Sequence, residues 1–157
     1  MRKEIITPAS PEGKPSPSRW IDLENLARVE LSSEEASHPI ESALRLDGAP
    51  GWRASQPGPQ TIRFNFDNPV QLRQVYLEFS EKDVARTQEF VLRWSADQGA
   101  TFREIVRQQY NFNPPGTTSE KEEYRVELSG VTTLELNIIP AVGRSDVRAN
   151  LARLLLA

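Results

Sequence analysis

The chain is 157 residues long, carries no cysteine and has a formal net charge of −3. That length suits one domain with a core of its own, needing neither disulfides nor a structural metal. The missing thiol excludes cysteine nucleophiles, iron–sulfur clusters and Cys-rich zinc sites, and the acidic balance argues against a nucleic-acid footprint. The 19 cations divide into 15 Arg and 4 Lys, a skew that favours planar pairing with carboxylates over diffuse phosphate contact.

Residues 1–19 hold Pro8, Pro11, Pro15 and Pro17 among Ser, Gly and charge, which predicts a flexible tail ahead of a single domain over 20–157. Only Ile5-Ile6 stands where an export signal needs about seven apolar residues. Nowhere does an apolar run approach the roughly 18 residues of a membrane span. The expectation is a cytoplasmic protein without a membrane span.

From Trp20 onward the dominant period is two, the mark of half-buried strands. Ile62, Phe64 and Phe66 alternate with Arg63 and Asn65; Val75, Leu77 and Phe79 alternate with Tyr76 and Glu78. The pattern recurs at Phe90, Leu92 and Trp94, at Tyr124, Val126 and Leu128, and at Leu134, Leu136 and Ile138. Eight strands are predicted, near 25–32, 61–66, 72–79, 88–95, 102–109, 123–128, 132–139 and 148–156. One short helical turn is expected at 39–46, where Pro39 sits early and Ile40, Ala43 and Leu44 share a face. Short antiparallel strands with one apolar face each and almost no helix describe an all-β, eight-stranded sandwich.

The connections are unequal. Asp67-Asn68-Pro69, Asp97-Gln98-Gly99 and Ser129-Gly130 carry turn chemistry and gather at one end if successive strands run antiparallel. Loops 47–60, 80–87, 110–122 and 140–147 gather at the other, where a rigid scaffold usually displays its binding residues.

Catalytic chemistry finds no foothold. His38, the single histidine, precedes Pro39 in a polar stretch and reads as a loop residue; no converging ligand set or serine triad accompanies it. No carboxylate pair is singled out for glycoside hydrolysis. Gly48-Ala49-Pro50-Gly51 lacks the spacing and the Lys-Ser/Thr of a phosphate loop. The chain is read as non-catalytic and without a cofactor.

Several segments together resemble a known family. They are Leu26-Ala27-Arg28-Val29 leading to Ser32-Ser33-Glu34, Ala43-Leu44-Arg45-Leu46-Asp47-Gly48 and Trp52-Arg53-Ala54-Ser55. Further along come Ile62 to Phe66, Phe90 to Asp97 and Leu151-Ala152-Arg153-Leu154. In order and spacing they are similar to the discoidin or coagulation-factor C-type domain of the galactose-binding-like jelly-roll superfamily, over roughly residues 22–157. The resemblance implies a jelly-roll sandwich whose long-loop end recognises sugars, lipid head groups or proteins, with Trp52 packed beneath the loops.

It also implies a structural calcium, held near Leu46-Asp47-Gly48, by a Thr before the Trp and by a Glu in the last strand. This chain departs from that pattern: Gly51 precedes Trp52, and Arg153 stands at the Glu position. A guanidinium in place of a carboxylate puts a cation where the ion would sit, so no metal is expected. Arg153 then either pairs with Asp47 in the ion's stead or points to solvent.

Sugar recognition uses planar hydrogen-bonding groups around an aromatic face. On the long-loop end Arg53, Arg86, Asn111, Asn113 and Arg144 offer donors, and Tyr110 or Phe112 offers a platform; of the two, Phe112 is the one expected to face inward and staple its loop. The competing reading of each arginine is an ordinary salt bridge. Carbohydrate is the first expected ligand. A protein partner is the second, suggested by the Arg/Glu-rich strand surface, which also fits a plain solvated sheet face.

Overall fold

The alternating residues become the inner and outer faces of antiparallel strands. The structure, a computed structural model, describes residues 20–47 and 49–157; the tail expected at 1–19 lies outside the described residues. A helical turn α1 (Leu23–Leu26) leads into β1 (Ala27–Leu31), and a 3-10 turn follows at Ile40–Ala43. The remaining strands are β2 (Trp52–Pro57), β3 (Gln60–Ser80), β4 (Arg86–Ser95), β5 (Arg103–Phe112), β6 (Ser119–Ile139), β7 (Arg148–Leu151) and β8 (Arg153–Leu156).

Two strands shape the sandwich. β3 and β6 each run 21 residues, so the expected pairs 61–66 with 72–79 and 123–128 with 132–139 are single strands bent in the middle. Their register shifts between Asn65 and Val70, again before Leu72 and again before Gln74. Such bulges bend a strand without ending its pairing, and Pro69 is tolerated because a bulge asks for no ladder N–H. What reads as turn chemistry at Asp67–Pro69 and Ser129-Gly130 therefore makes corners.

The first half of β3 pairs with β1 and with the second half of β6, and β4 and β5 extend that wall. The second half of β3 pairs with β8 and with the first half of β6 in the opposite wall. Between the walls lie Ile62, Phe64, Leu77, Phe79, Phe90, Leu92, Leu134, Leu136, Leu154 and Leu156, all buried. Phe79 and Phe90 stack across the gap with ring centroids 5.2 Å apart. Trp94, expected inside, is only partly buried and lies under the Arg103 guanidinium at 5.9 Å.

The sequence pattern misses β2, which falls within the expected loop 47–60, and it reads β7 and β8 as one strand. β2 buries only Trp52 and Ala54, too short an alternation to stand out between Gly51 and Pro57.

The outer face of the larger wall carries a charge ladder. Glu30 faces Arg63, Arg63 faces Glu135, Glu135 faces Arg93 and Arg93 faces Glu104 across successive strands. Glu135 is 1% exposed. It accepts from Arg63 Nε at 2.9 Å, from Asn137 Nδ2 at 2.8 Å and from Arg93, while Phe102 lies against both guanidiniums. Burial alone would raise its pKa; the Arg93, Asn137 and Arg63 hydrogen bonds outweigh that and hold it below the usual carboxylate value.

The long connections meet at one end. Gly58 N–H donates to Val147 O at 2.9 Å, Glu81 N–H to Thr118 O at 2.8 Å and Val142 N–H to Thr87 O at 2.8 Å.

Candidate functional site

β2 and β7 form a two-stranded ribbon in which Trp52 pairs with Leu151 and Arg53 with Asn150. Alternation buries Trp52, Ala54, Ala149 and Leu151 and turns Arg53, Arg148 and Asn150 outward. Direct cross-strand partners lie about 5 Å apart at Cβ, so the Arg53 guanidinium and the Asn150 amide share one face.

That face is one wall of a cavity of about 300 Å³, completed by His38, Pro50 and the Ser80-Glu81-Lys82-Asp83 segment that follows β3. The Ser80 N–H donates to Asn150 Oδ1 at 3.3 Å. An N–H can only donate, so it fixes the amide orientation and leaves Asn150 Nδ2 as an uncommitted donor. Arg148 Nη1 donates to Glu35 Oε1 at 2.9 Å. His38 Nδ1 lies 2.9 Å from Ser37 Oγ and 3.3 Å from Glu35 Oε2. A proton on Nδ1 satisfies Glu35 and leaves Nε2 as an acceptor.

The opposite wall is built around one carboxylate. Glu81 Oε1 accepts from Arg86 Nε at 2.7 Å, and Oε2 accepts from the Asp83 and Val84 amides at 3.1 and 3.3 Å. Burial pushes the Glu81 pKa up, but the Asp83 amide and Arg86 outweigh it and the net direction is down. Glu81 thus stays ionised and committed.

Arg86 stands behind that wall. Its side chain has no exposed surface, donates to Pro140 O at 2.6 Å and Gln88 Oε1 at 3.0 Å, and stacks on Phe112 at 4.7 Å. Burial draws its pKa below the ordinary arginine value, against the pull of Glu81.

Of the residues chosen from sequence, Arg53 alone lines the cavity. Arg86 supports it from within. Tyr110 packs edge-on against buried Phe112 at 4.9 Å and donates its hydroxyl to Ser119 O at 2.9 Å. Asn111 Oδ1 accepts from Thr87 Oγ1 at 2.7 Å, and Asn113 closes the following turn with Thr117. Arg144 pairs with Asp146 at 3.1 Å and reaches Ala85 O at 3.3 Å. These four abut the loops beside the cavity without lining it.

His38, Lys82, Arg148 and Asn150 line the cavity and were not chosen from sequence. Only the alternation Arg148-Ala149-Asn150-Leu151 signalled that Arg148 and Asn150 share a face. Trp52 is no platform, being 1% exposed with Nε1 donating to Ser33 O at 3.1 Å. A wider concavity of about 870 Å³ near the corners is lined by Gln71, Arg73, Arg125, Val126, Glu127 and Ser129; only β3 and β6 contribute to it, so no third element converges there.

A calcium ion does not fit the position the resemblance implies. Arg153 Nη1 donates to Ser42 O at 2.8 Å and to Ala49 O at 3.1 Å, so a fixed cation already draws on these two carbonyls. Asp47 is not its partner, contrary to the pairing considered from sequence; Asp47 Oδ1 accepts from the Ala49 N–H at 3.2 Å. Nor does Arg153 simply point to solvent. Gly51 has φ +89°, and a Cβ there would stand 2.6 Å from Leu151 O, which leaves no room for a ligating side chain. Among the described residues no group of three or more His, Asp or Glu could hold a metal.

The fold and its loop-end cavity define a galactose-binding-like jelly-roll sandwich. The chain belongs to the F5/8 type C domain family, whose family model matches residues 28–143. Comparison with curated protein sequences gives no match. Among solved structures it is similar to the CBM32 of AlyQ in complex with 4,5-unsaturated mannuronic acid, at 16% identity and TM-score 0.61, covering 85% of this chain and 95% of that one. It is also similar to the family 32 CBM of Clostridium perfringens NanJ in complex with galactose, at 14% identity and TM-score 0.56, covering 83% and 92%. A third is CBM32-3 from a C. perfringens family 31 glycoside hydrolase, at 15% identity and TM-score 0.58, covering 87% and 93%.

Proposed function

We propose that the chain is a non-catalytic carbohydrate-binding module that holds a sugar in the cavity between the β2–β7 ribbon and the 80–83 segment. The observation that carries this reading is the pairing of Arg53 with Asn150. It sets a planar guanidinium and a free amide donor side by side in a concave site, the combination that fits adjacent pyranose hydroxyls. His38 Nε2 adds an acceptor. Similar folds solved with galactose and with GalNAc-β-1,3-galactose support the same ligand class.

The carboxylates support a binding rather than a catalytic role. A general acid needs a raised pKa beside the substrate, whereas Glu81 is held low and spent on Arg86. Glu120, which is raised, is buried and does not line the cavity. On the sheet face Arg63 and Arg93 are consumed by Glu135, which weakens the case for that face as a protein-docking surface. Asn111 and Asn113, exposed on the adjoining segment, are where a longer saccharide chain would extend.

Affinity electrophoresis through polysaccharide gels and a glycan array test the reading. Retardation that Arg53→Ala abolishes is expected; uniformly negative sugars with a correctly folded protein would overturn it.

A further inference from the structure

The charges lining the cavity fall into two groups. Arg148 is paired with Glu35 at 2.9 Å and Glu81 with Arg86 at 2.7 Å. Arg53, Lys82 and Asp83 have no side-chain hydrogen bond or ion pair among the described residues. The uncommitted set is therefore two cations against one carboxylate. Asn150 Nδ2 adds a donor with no partner among the described residues, its Oδ1 being held by the Ser80 N–H, against the one neutral acceptor of His38 Nε2.

A neutral pyranose can accept from these donors, each hydroxyl giving one O–H and two lone pairs, but it brings no charge to set against the unpaired cations. An ionised carboxylate accepts only, takes up to four hydrogen bonds, and matches a guanidinium through two parallel N–H···O bonds. Arg53 has its whole fork available and Asn150 faces it across the ladder. Lys82 supplies a compact charge from the opposite wall, and Asp83 offers an acceptor for a ring hydroxyl.

We propose that the sugar this cavity selects is acidic: a hexuronate unit whose carboxylate is gripped by Arg53 with help from Lys82 and Asn150. This rests on the carbohydrate reading above and narrows it. The recognised group is the carboxylate, so esterifying it removes the negative charge and the paired carboxylate oxygens without changing the ring.

The experiment is isothermal titration of the full chain with trigalacturonic acid, with its methyl ester, and with galactose, at low and high salt. The acid is expected to bind at least about tenfold more tightly than the ester, as a charge-assisted bond to one desolvated group implies, and to weaken as salt rises. Arg53→Gln should remove most of that preference, and Lys82→Gln part of it. Equal binding of acid and ester overturns the proposal while leaving the carbohydrate reading intact. Loss of all sugar binding in a folded protein overturns both. Inorganic phosphate that binds where no uronate does also overturns it, by showing a bare anion site.

Discussion

Arg86 Nε meets Glu81 Oε1 at 2.7 Å from a position with no exposed surface, so the wall of the cavity hangs on a buried cation. The same guanidinium holds Pro140 O and covers Phe112, and thereby joins the end of β5 to the segments after β3 and β6.

Removing that cation strands Glu81 in a half-enclosed place and frees the loop folded around it. Arg86→Ala should cost about 3 kcal/mol or more, the usual consequence of breaking a buried pair. Arg86→Lys should recover only part, because an ammonium cannot reproduce the fork to Glu81, Gln88 and Pro140. Urea unfolding measures both, and a cost within about 0.5 kcal/mol for the alanine variant would show that the clamp is dispensable.

Arg53 and Tyr110 separate binding from stability. Arg53→Ala removes an exposed side chain that has no partner among the described residues, so unfolding should shift by less than about 0.5 kcal/mol while sugar retention disappears. Tyr110→Ala should behave oppositely. It removes the edge contact with Phe112 and the bond to Ser119 O, at a cost of about 2 kcal/mol, and leaves retention of a monosaccharide in place. The reverse outcome would move the site to the 110–117 segment.

Stability should peak on the acid side of neutrality. Glu120 is 2% exposed, and burial first, then the neighbouring Glu122 carboxyl, push its pKa up to about 8. Between the ordinary carboxylate range and that value the folded chain holds a proton that the unfolded chain has released. Its contribution is fully present at low pH and is lost as pH rises through about 8. Glu81 and Glu135, both held low, act in the other window and lose their contribution as pH falls below the usual carboxylate value. Thermal unfolding should therefore show a higher Tm at mildly acidic pH than in alkaline buffer, with the alkaline loss much reduced in Glu120→Gln. An unchanged profile in that variant would reject the assignment.

Arg153 should make the loop around Ala49 indifferent to calcium. Calorimetric titration is expected to show no heat of calcium binding and no change in Tm with chelator. Arg153→Ala should destabilise by about 1–3 kcal/mol through two unsatisfied carbonyls. Gly51→Ala should also be harmful, because the new Cβ would meet Leu151 O at 2.6 Å in a left-handed conformation. Micromolar calcium binding would contradict this account.

Much of the fold was legible because strand alternation is local: a pleated backbone turns successive side chains to opposite faces whatever pairs with it. Ile62, Phe64, Leu77, Leu92 and Leu136 are buried as that rule requires. It failed where local chemistry has two outcomes. Asp67-Asn68-Pro69 suits a reversal or a bulge, and only the continued pairing of β3 with β6 selects the bulge.

The candidate site was less legible. Arg86 and Arg53 are both strand arginines, yet one is buried against Glu81, Pro140 and Phe112 while the other lines a cavity with no side-chain partner among the described residues. Composition and alternation determined an all-β sandwich and its apolar faces. Tertiary structure alone decided that β2 lies against β7, that Glu35 meets Arg148 across 113 residues of chain, and which cations remain unspent. The physical reason is that alternation is set by neighbouring residues along one strand. Charge pairing and burial depend on which distant strands and loops converge, and no local pattern records that.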